Sequence, residues 1–137
     1  MMQPELCDDL FRIRSKNILL VEDEALVAMF VEDELQERGV RVVGPAATVA
    51  DALQLLQGAE ADGGLDAAIL DLNLAGESGM LVADALMRAE IPFMIMTGYD
   101  HSLRLGLHAG APCLRKPFAA QELLQALAAL MDKVQAS

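Results

Sequence analysis

Glu22 and Asp23 stand together at the end of an apolar run, Ile18-Leu19-Leu20-Val21. Asp71 ends a second run, Ala67-Ala68-Ile69-Leu70, and Thr97 a third, Phe93-Met94-Ile95-Met96. Lys116, followed by Pro117, ends a fourth that runs from Ala111 to Arg115. Each run reads as a buried parallel strand, and in an open α/β sheet the carboxyl ends of such strands share the edge where ligands bind. Carboxylates, a hydroxyl and an ammonium gathered there suit a divalent metal ion and a phosphoryl group. Asp71 is the candidate nucleophile, because an aspartate carboxylate can attack phosphorus to give an acyl phosphate, and phosphoryl transfer needs mostly positioning and charge neutralisation. Like charges about 4 Å apart repel by roughly 4 kcal/mol at an effective dielectric of 20, so Glu22, Asp23 and Asp71 crowded together require a cation. Mg2+ takes oxygen ligands, keeps several waters and commonly uses one or two carboxylates with phosphate oxygens. Asp23 and Asp71 are read as direct ligands, Glu22 as direct or water-mediated, and the backbone carbonyl of Asn73 as a further ligand.

Lys116 would pair with Asp71 at rest and neutralise phosphoryl oxygens once they arrive. Thr97 offers a rotatable hydroxyl donor, and Gly98 beside it has no side chain to block the approach. Taken singly, each residue has an ordinary reading. Glu22–Asp23 also serves as favourable charge before a helix. A lone aspartate after a strand is usually a turn or cap residue, and Thr97-Gly98 or Lys116-Pro117 could be plain exit turns. The case lies in the combination, in order and at strand-sized spacing. Met80, Met87, Met94 and Met96 read as core filler, and His101 and His108 as surface side chains.

The elements that must position these groups follow from hydrophobic periodicity. Strands are expected near 17–22, 41–45, 66–71, 92–97 and 111–115, and helices near 24–38, 48–57, 79–89, 100–108 and 119–133. Strands alternating with helices imply βαβ units and a doubly wound parallel sheet covered on both faces. Gly39 and Gly58 sit where C-terminal caps of the first two helices belong. Thr48 with Asp51 three residues on forms a variant capping box. Leu123, Leu124, Leu127, Leu130 and Met131 make a core-facing stripe on the last helix. Gly106 weakens the fourth helix by about 1 kcal/mol relative to alanine.

The chain has 137 residues, enough for one domain with a sizeable core. Residues 1–15 are expected as an extension, either a short helix or a disordered tail, residues 16–133 as the domain, and 134–137 as a tail. A net charge of −11 with no basic stripe argues against binding a nucleic-acid backbone. Cys7 and Cys113 lie far apart and read as reduced thiols, and no run approaches the ~18 apolar residues of a membrane span. With no basic-then-apolar leader at the start, a cytoplasmic location is expected.

Taken together, Ile18-Leu19-Leu20-Val21-Glu22-Asp23-Glu24, Leu70-Asp71-Leu72-Asn73, Met96-Thr97-Gly98 and Lys116-Pro117-Phe118 resemble receiver domains of two-component response regulators. The resemblance spans about residues 16–133. It implies the flavodoxin-like (βα)5 fold with sheet order 2-1-3-4-5, Mg2+-dependent phosphorylation of Asp71 by a phosphohistidine donor, and Thr97 and Lys116 as switch and phosphate-binding residues. Asn73-Leu74-Ala75-Gly76-Glu77, Ile91-Pro92-Phe93 and Thr97-Gly98-Tyr99 are similar to the stand-alone "FAT GUY" receivers of alphaproteobacteria, with Ile95-Met96 where that subgroup has Phe-Ala. Ala75 stands where many receivers carry proline, and Cys113 where the switch aromatic lies, so an aromatic rotamer flip at 113 cannot carry the signal here. Tyr99 is the candidate replacement, packing differently as the Thr97 loop moves. Asn73 and Tyr99 flank the path of water attacking the acyl phosphate.

The expected function is a single-domain response regulator that receives its phosphoryl group from a sensor histidine kinase or a histidine phosphotransferase. With no output domain in the chain, it signals through a partner protein or passes the phosphoryl group on. The 100–133 face is the expected contact surface, including for a homodimer. A metal-dependent phosphatase or phosphotransferase with an aspartyl nucleophile is an alternative, although Asn73 cannot exchange protons as an aspartate would. A pseudo-receiver that binds partners without phosphorylation is another.

Overall fold

Along a strand successive side chains point to opposite faces, so residue parity decides which half of the core each one enters. The computed structural model describes residues 13–61, 63–74, 76–98 and 112–136. Its elements run β1 (Asn17–Val21), α1 (Ala25–Glu37), β2 (Arg41–Ala46), α2 (Val49–Ala61), β3 (Ala67–Asp71), β4 (Asn73–Leu74), β5 (Glu77–Ser78), α3 (Met80–Arg88), β6 (Phe93–Thr97), β7 (Cys113–Arg115) and α4 (Ala120–Ala136). Five strands form one parallel sheet in the order β2-β1-β3-β6-β7. Counting the strands of this sheet alone, the order is 2-1-3-4-5, the flavodoxin-like arrangement.

The two faces carry separate cores. Ile18, Leu20, Ile69, Met94 and Met96 pack with Val31 and Leu35 of α1 and with the α4 stripe Leu123, Leu124, Leu127, Leu130 and Met131. Their neighbours of opposite parity, Leu19, Val21, Leu70, Phe93 and Ile95, pack with Ala52 and Leu56 of α2 and with Val82, Ala83 and Leu86 of α3. The central strands β1, β3 and β6 are thus apolar on both sides, and their ends are held in register. Among the described residues no helix is long and apolar enough to cross a membrane.

Several boundaries differ from the expectations. Gly58 is not a cap, because α2 continues through it to Ala61. The helix ends at Gly63 and Gly64, whose φ angles of +99° and +85° suit glycine, and the Gly64 N–H donates to the Ala59 carbonyl at 2.7 Å. α4 runs to Ala136, past 133 into the segment expected as a tail, since nothing from Asp132 to Ala136 breaks a helix. Ile13 is fully buried in the α1/α4-side core, and the Ser15 N–H donates to the Gly39 carbonyl at 2.8 Å, so residues 13–15 belong to the domain. Met94 and Met96 are core residues, but Met87 is 53% exposed, because it lies on the side of α3 turned away from the sheet. The antiparallel β4–β5 pair was not anticipated; its turn contains Gly76 at φ +88°. Thr48 Oγ1 accepts the Asp51 N–H at 3.1 Å, and Glu122 accepts the Ala119 N–H at 2.9 Å at the start of α4. Tyr99 and the expected 100–108 helix, together with residues 1–12, lie outside the described residues.

A Cβ at Gly58 would meet nothing within 4 Å. Gly58→Ala should therefore raise unfolding stability by about 0.5–1 kcal/mol, as for glycine in a helix interior. Gly64→Ala should lower it by about 1 kcal/mol or more because of its positive φ. Urea titration of both variants checks the signs, and a destabilising Gly58→Ala would return that residue to a capping role.

Candidate functional site

The site is assembled where β1, β3, β6 and β7 end. Glu22 follows β1, its N–H donating to the Ala46 carbonyl at 2.9 Å, so the β1–β2 pairing extends one residue beyond the strand. Its carboxylate folds back, with Oε2 accepting the Glu24 N–H at 3.0 Å, and the residue is buried. Asp71 closes β3, also buried, with Oδ1 accepting the Asn73 N–H at 3.0 Å. Lys116 follows β7. Its N–H donates to the Thr97 carbonyl at 2.8 Å, and its peptide bond to Pro117 is cis. Its ammonium lies 2.7 Å from Glu22 Oε1, 3.0 Å from Asp71 Oδ2 and 3.1 Å from Glu24 Oε1.

Burial is the largest influence on Glu22. It pushes the carboxyl up to about 7, and the Asp71 carboxylate adds to the rise, while Lys116 and the Glu24 N–H pull the other way. Burial alone would lower Lys116, but the carboxylates of Glu22, Asp71 and Glu24 outweigh it and hold the ammonium above its ordinary value. Lys116 therefore stays charged throughout the neutral range. One oxygen each from Glu22, Asp23 and Asp71 lie within 4.8 Å of one another. Three carboxylates against one ammonium leave surplus negative charge. Glu22 Oε1, moreover, is buried with no aligned hydrogen bond among the described residues, and the Lys116 ammonium lies 2.7 Å away. An oxygen-only donor set with excess charge and an open buried lone pair fits a small hard divalent cation such as Mg2+.

The structure brings Glu22, Asp23, Asp71 and Lys116 together. Thr97 is buried at the end of β6, one residue beyond Met96, the register partner of Asp71. Asn73 begins β4, its side chain exposed and its N–H committed to Asp71. Gly98 is exposed, and a Cβ there would meet nothing within 4 Å. Cys113 opens β7 beside Ile95, half-buried against the α2/α3-side core, and burial pushes its thiol up. Tyr99 lies outside the described residues.

Sequence reasoning missed three features. Glu24 completes the ring of carboxylates on Lys116, yet from sequence it is only a third acid after a pair. Gly79 donates its N–H to the Leu72 carbonyl at 2.8 Å, and a Cβ there would drive into the Asp71 carbonyl oxygen and sit 3.0 Å from Leu72 Cα. Only glycine lets α3 begin against the end of β3. Finally, α1 exposes Leu26 (82%), Met29 (57%) and Phe30 (38%). With Glu24, Val27, Gly98, Lys116, Pro117 and Phe118, Leu26 and Phe30 line a cavity of about 460 Å³. The Phe30 and Phe118 rings are 6.1 Å apart at 54°. The signal was present in Ala25-Leu26-Val27-Ala28-Met29-Phe30-Val31, which is apolar all round rather than on one stripe.

Residues 18–128 match the family model of the response regulator receiver domain. Among curated proteins, the aerobic respiration control protein ArcA of Escherichia coli is 33% identical over 115 residues, covering 81% of this chain and 46% of ArcA. Among solved structures, SdrG from Sphingomonas melonis Fr1 is 43% identical with a TM-score of 0.71, covering 85% of this chain and 97% of SdrG. The response regulator PhyR from Brucella abortus is 26% identical with a TM-score of 0.79, covering 93% of this chain and 52% of PhyR. The chain thus spans about half the length of ArcA and of that PhyR.

Removing the ammonium strands the buried carboxylates of Glu22 and Asp71. Lys116→Ala should cost about 3 kcal/mol in metal-free protein, as when one partner of a buried pair is lost. Added Mg2+ should restore part of it through binding to the native state. Thermal unfolding with and without Mg2+ checks both, and a variant as stable as the parent would show that Lys116 does not balance these charges.

Proposed function

The chain belongs to the response regulator receiver-domain family of two-component signalling, and from that premise we propose that it is phosphorylated on Asp71 by a phosphohistidine donor. One observation carries the reading: Asp71 Oδ2 lies 3.0 Å from the Lys116 ammonium, and the Asp71 carboxylate belongs to a trio with Glu22 and Asp23 whose oxygens lie within 4.8 Å of one another. A charged nucleophile, a fixed counter-charge and a metal-competent cluster then share one strand edge. An Asp71 oxygen attacks phosphorus, the O–P bond forms as the P–N bond to the donor imidazole breaks, and the bonding pair leaves on the imidazole nitrogen, which takes up a proton. Mg2+ bound to Glu22, Asp23, Asp71 and the Asn73 carbonyl would supply neutralisation of the phosphoryl charge. Lys116 turns to a phosphoryl oxygen, and the Thr97 hydroxyl donates to another.

Phosphorylation adds about 1.5–2 negative charges beside Thr97, enough to draw its loop inward. SdrG is known in a BeF3-activated conformation, at 42% identity to this chain. With Cys113 in place of the switch aromatic, Tyr99 takes over the readout. Asn73 and Tyr99 then govern the approach of hydrolysing water, and the 100–133 face meets the downstream protein or a second copy of the chain. The donor is a sensor histidine kinase or a histidine phosphotransferase. To reach Asp71 it crosses the exposed apolar collar of Leu26, Met29 and Phe30, which provides a seat of the kind that anchors protein interfaces.

Incubation with acetyl phosphate and Mg2+ should add one phosphoryl group by intact mass, and Asp71→Asn or excess chelator should abolish it. Turnover of a phosphate ester without labelling would mark a phosphatase, and neither result a pseudo-receiver. Leu26→Glu should slow labelling by the fastest histidine donor about tenfold or more, the loss of one interface anchor, while leaving acetyl phosphate labelling unchanged. Equal losses with both donors would place Leu26 in the site rather than in the docking surface.

A further inference from the structure

The Lys116 ammonium has three carboxylate oxygens within 3.1 Å, donating aligned hydrogen bonds to Asp71 Oδ2 and Glu24 Oε1 and making an ion contact with Glu22 Oε1, so turning to an arriving ligand means leaving a partner. The partners differ in what release costs. The Glu22 side chain is fully buried and that of Asp71 is 7% exposed, so losing the ammonium leaves either one uncompensated in low dielectric. The Glu24 side chain is 62% exposed and regains water when it lets go. Glu24 is not engaged by its own helix through its side chain. It is the N-cap of α1, at φ −81° and ψ 111°, yet its carboxylate caps no amide of its own helix and reaches instead across 92 residues to Lys116.

We propose that Glu24 is a positioning residue that tethers the Lys116 ammonium at rest and must release it before Lys116 can turn to an incoming phosphoryl oxygen. The proposal rests on Asp71 being the phosphoacceptor. Glu24 is the one of the three partners able to yield cheaply, and it stands on the wall of the cavity that opens onto the site. Release of Glu24 is therefore a step on the way to the phosphorylated state, and the strength of the Glu24–Lys116 pair sets part of the acceptor's reactivity.

Two variants separate a tether from a simple negative charge at the mouth. Glu24→Gln keeps the length and removes the charge. Glu24→Asp keeps the charge, falls a methylene short of Lys116 and favours capping α1. With acetyl phosphate and Mg2+, both should label Asp71 about two- to fivefold faster than the parent, the size expected for an exposed ion pair. In both, the 1H–15N signal of the Lys116 ammonium should shift while Tm holds. A Glu24→Asp protein that labels at the parent rate would reduce Glu24 to a charge at the mouth and overturn the tether. Labelling by both variants at or below the parent rate would overturn it as well. A parent chain that takes no phosphoryl group on Asp71 is a distinct result that removes the underlying reading together with the tether.

Discussion

A single ammonium held among carboxylates organises this end of the molecule. Lys116 reaches Glu22, Asp71 and Glu24 within 3.1 Å. Those groups come from segments separated by dozens of residues, and their mutual repulsion would make the convergence unfavourable without a cation. The charge is only partly balanced, since Asp23 joins the same cluster. Partial balance is what the proposed function draws on: the ammonium offsets enough repulsion for the carboxylates to be buried together, and the surplus negative charge suits a divalent cation. Glu22 registers the tension most directly, its carboxyl raised towards neutrality by burial.

The sheet makes that convergence unavoidable. β1, β3 and β6 are apolar on both faces, so their polar residues can appear only where the strands stop, and parallel pairing puts all the stops on one edge. The Leu70–Val21 and Asp71–Met96 register partners then place Glu22, Asp71 and Thr97 next to one another without any specific contact being needed to recruit them. β7 joins through the Lys116 N–H on the Thr97 carbonyl, which links the position of the ammonium to the strand that carries the hydroxyl. Gly79, pressed against the Asp71 carbonyl, closes the other side.

The strands and the acidic edge were legible because their signals are local: an apolar run ending in a polar residue means the same thing wherever it lies. The helix ends were less so. Gly58 carries the residue type of a cap, but Gly63 and Gly64 compete for that role a few positions on, and only the backbone angles decide between them. The β4–β5 pair is too short to leave a periodicity. Glu24 and Gly79 were missed for a different reason, since their importance lies in what the fold brings to them: a lysine 92 residues away and a carbonyl at the end of another strand. Met87 shows the reverse error, an apolar type assigned to the core that the helix turns outward.

The most direct test is where a divalent ion binds. Titrating Mn2+ into 15N-labelled protein should broaden first the amide signals around Glu22–Glu24, Asp71–Asn73 and Lys116, and Mg2+ should reverse the broadening. Broadening that begins elsewhere on the acidic surface, or that Mg2+ fails to displace, would show that these strand ends do not form a common metal site.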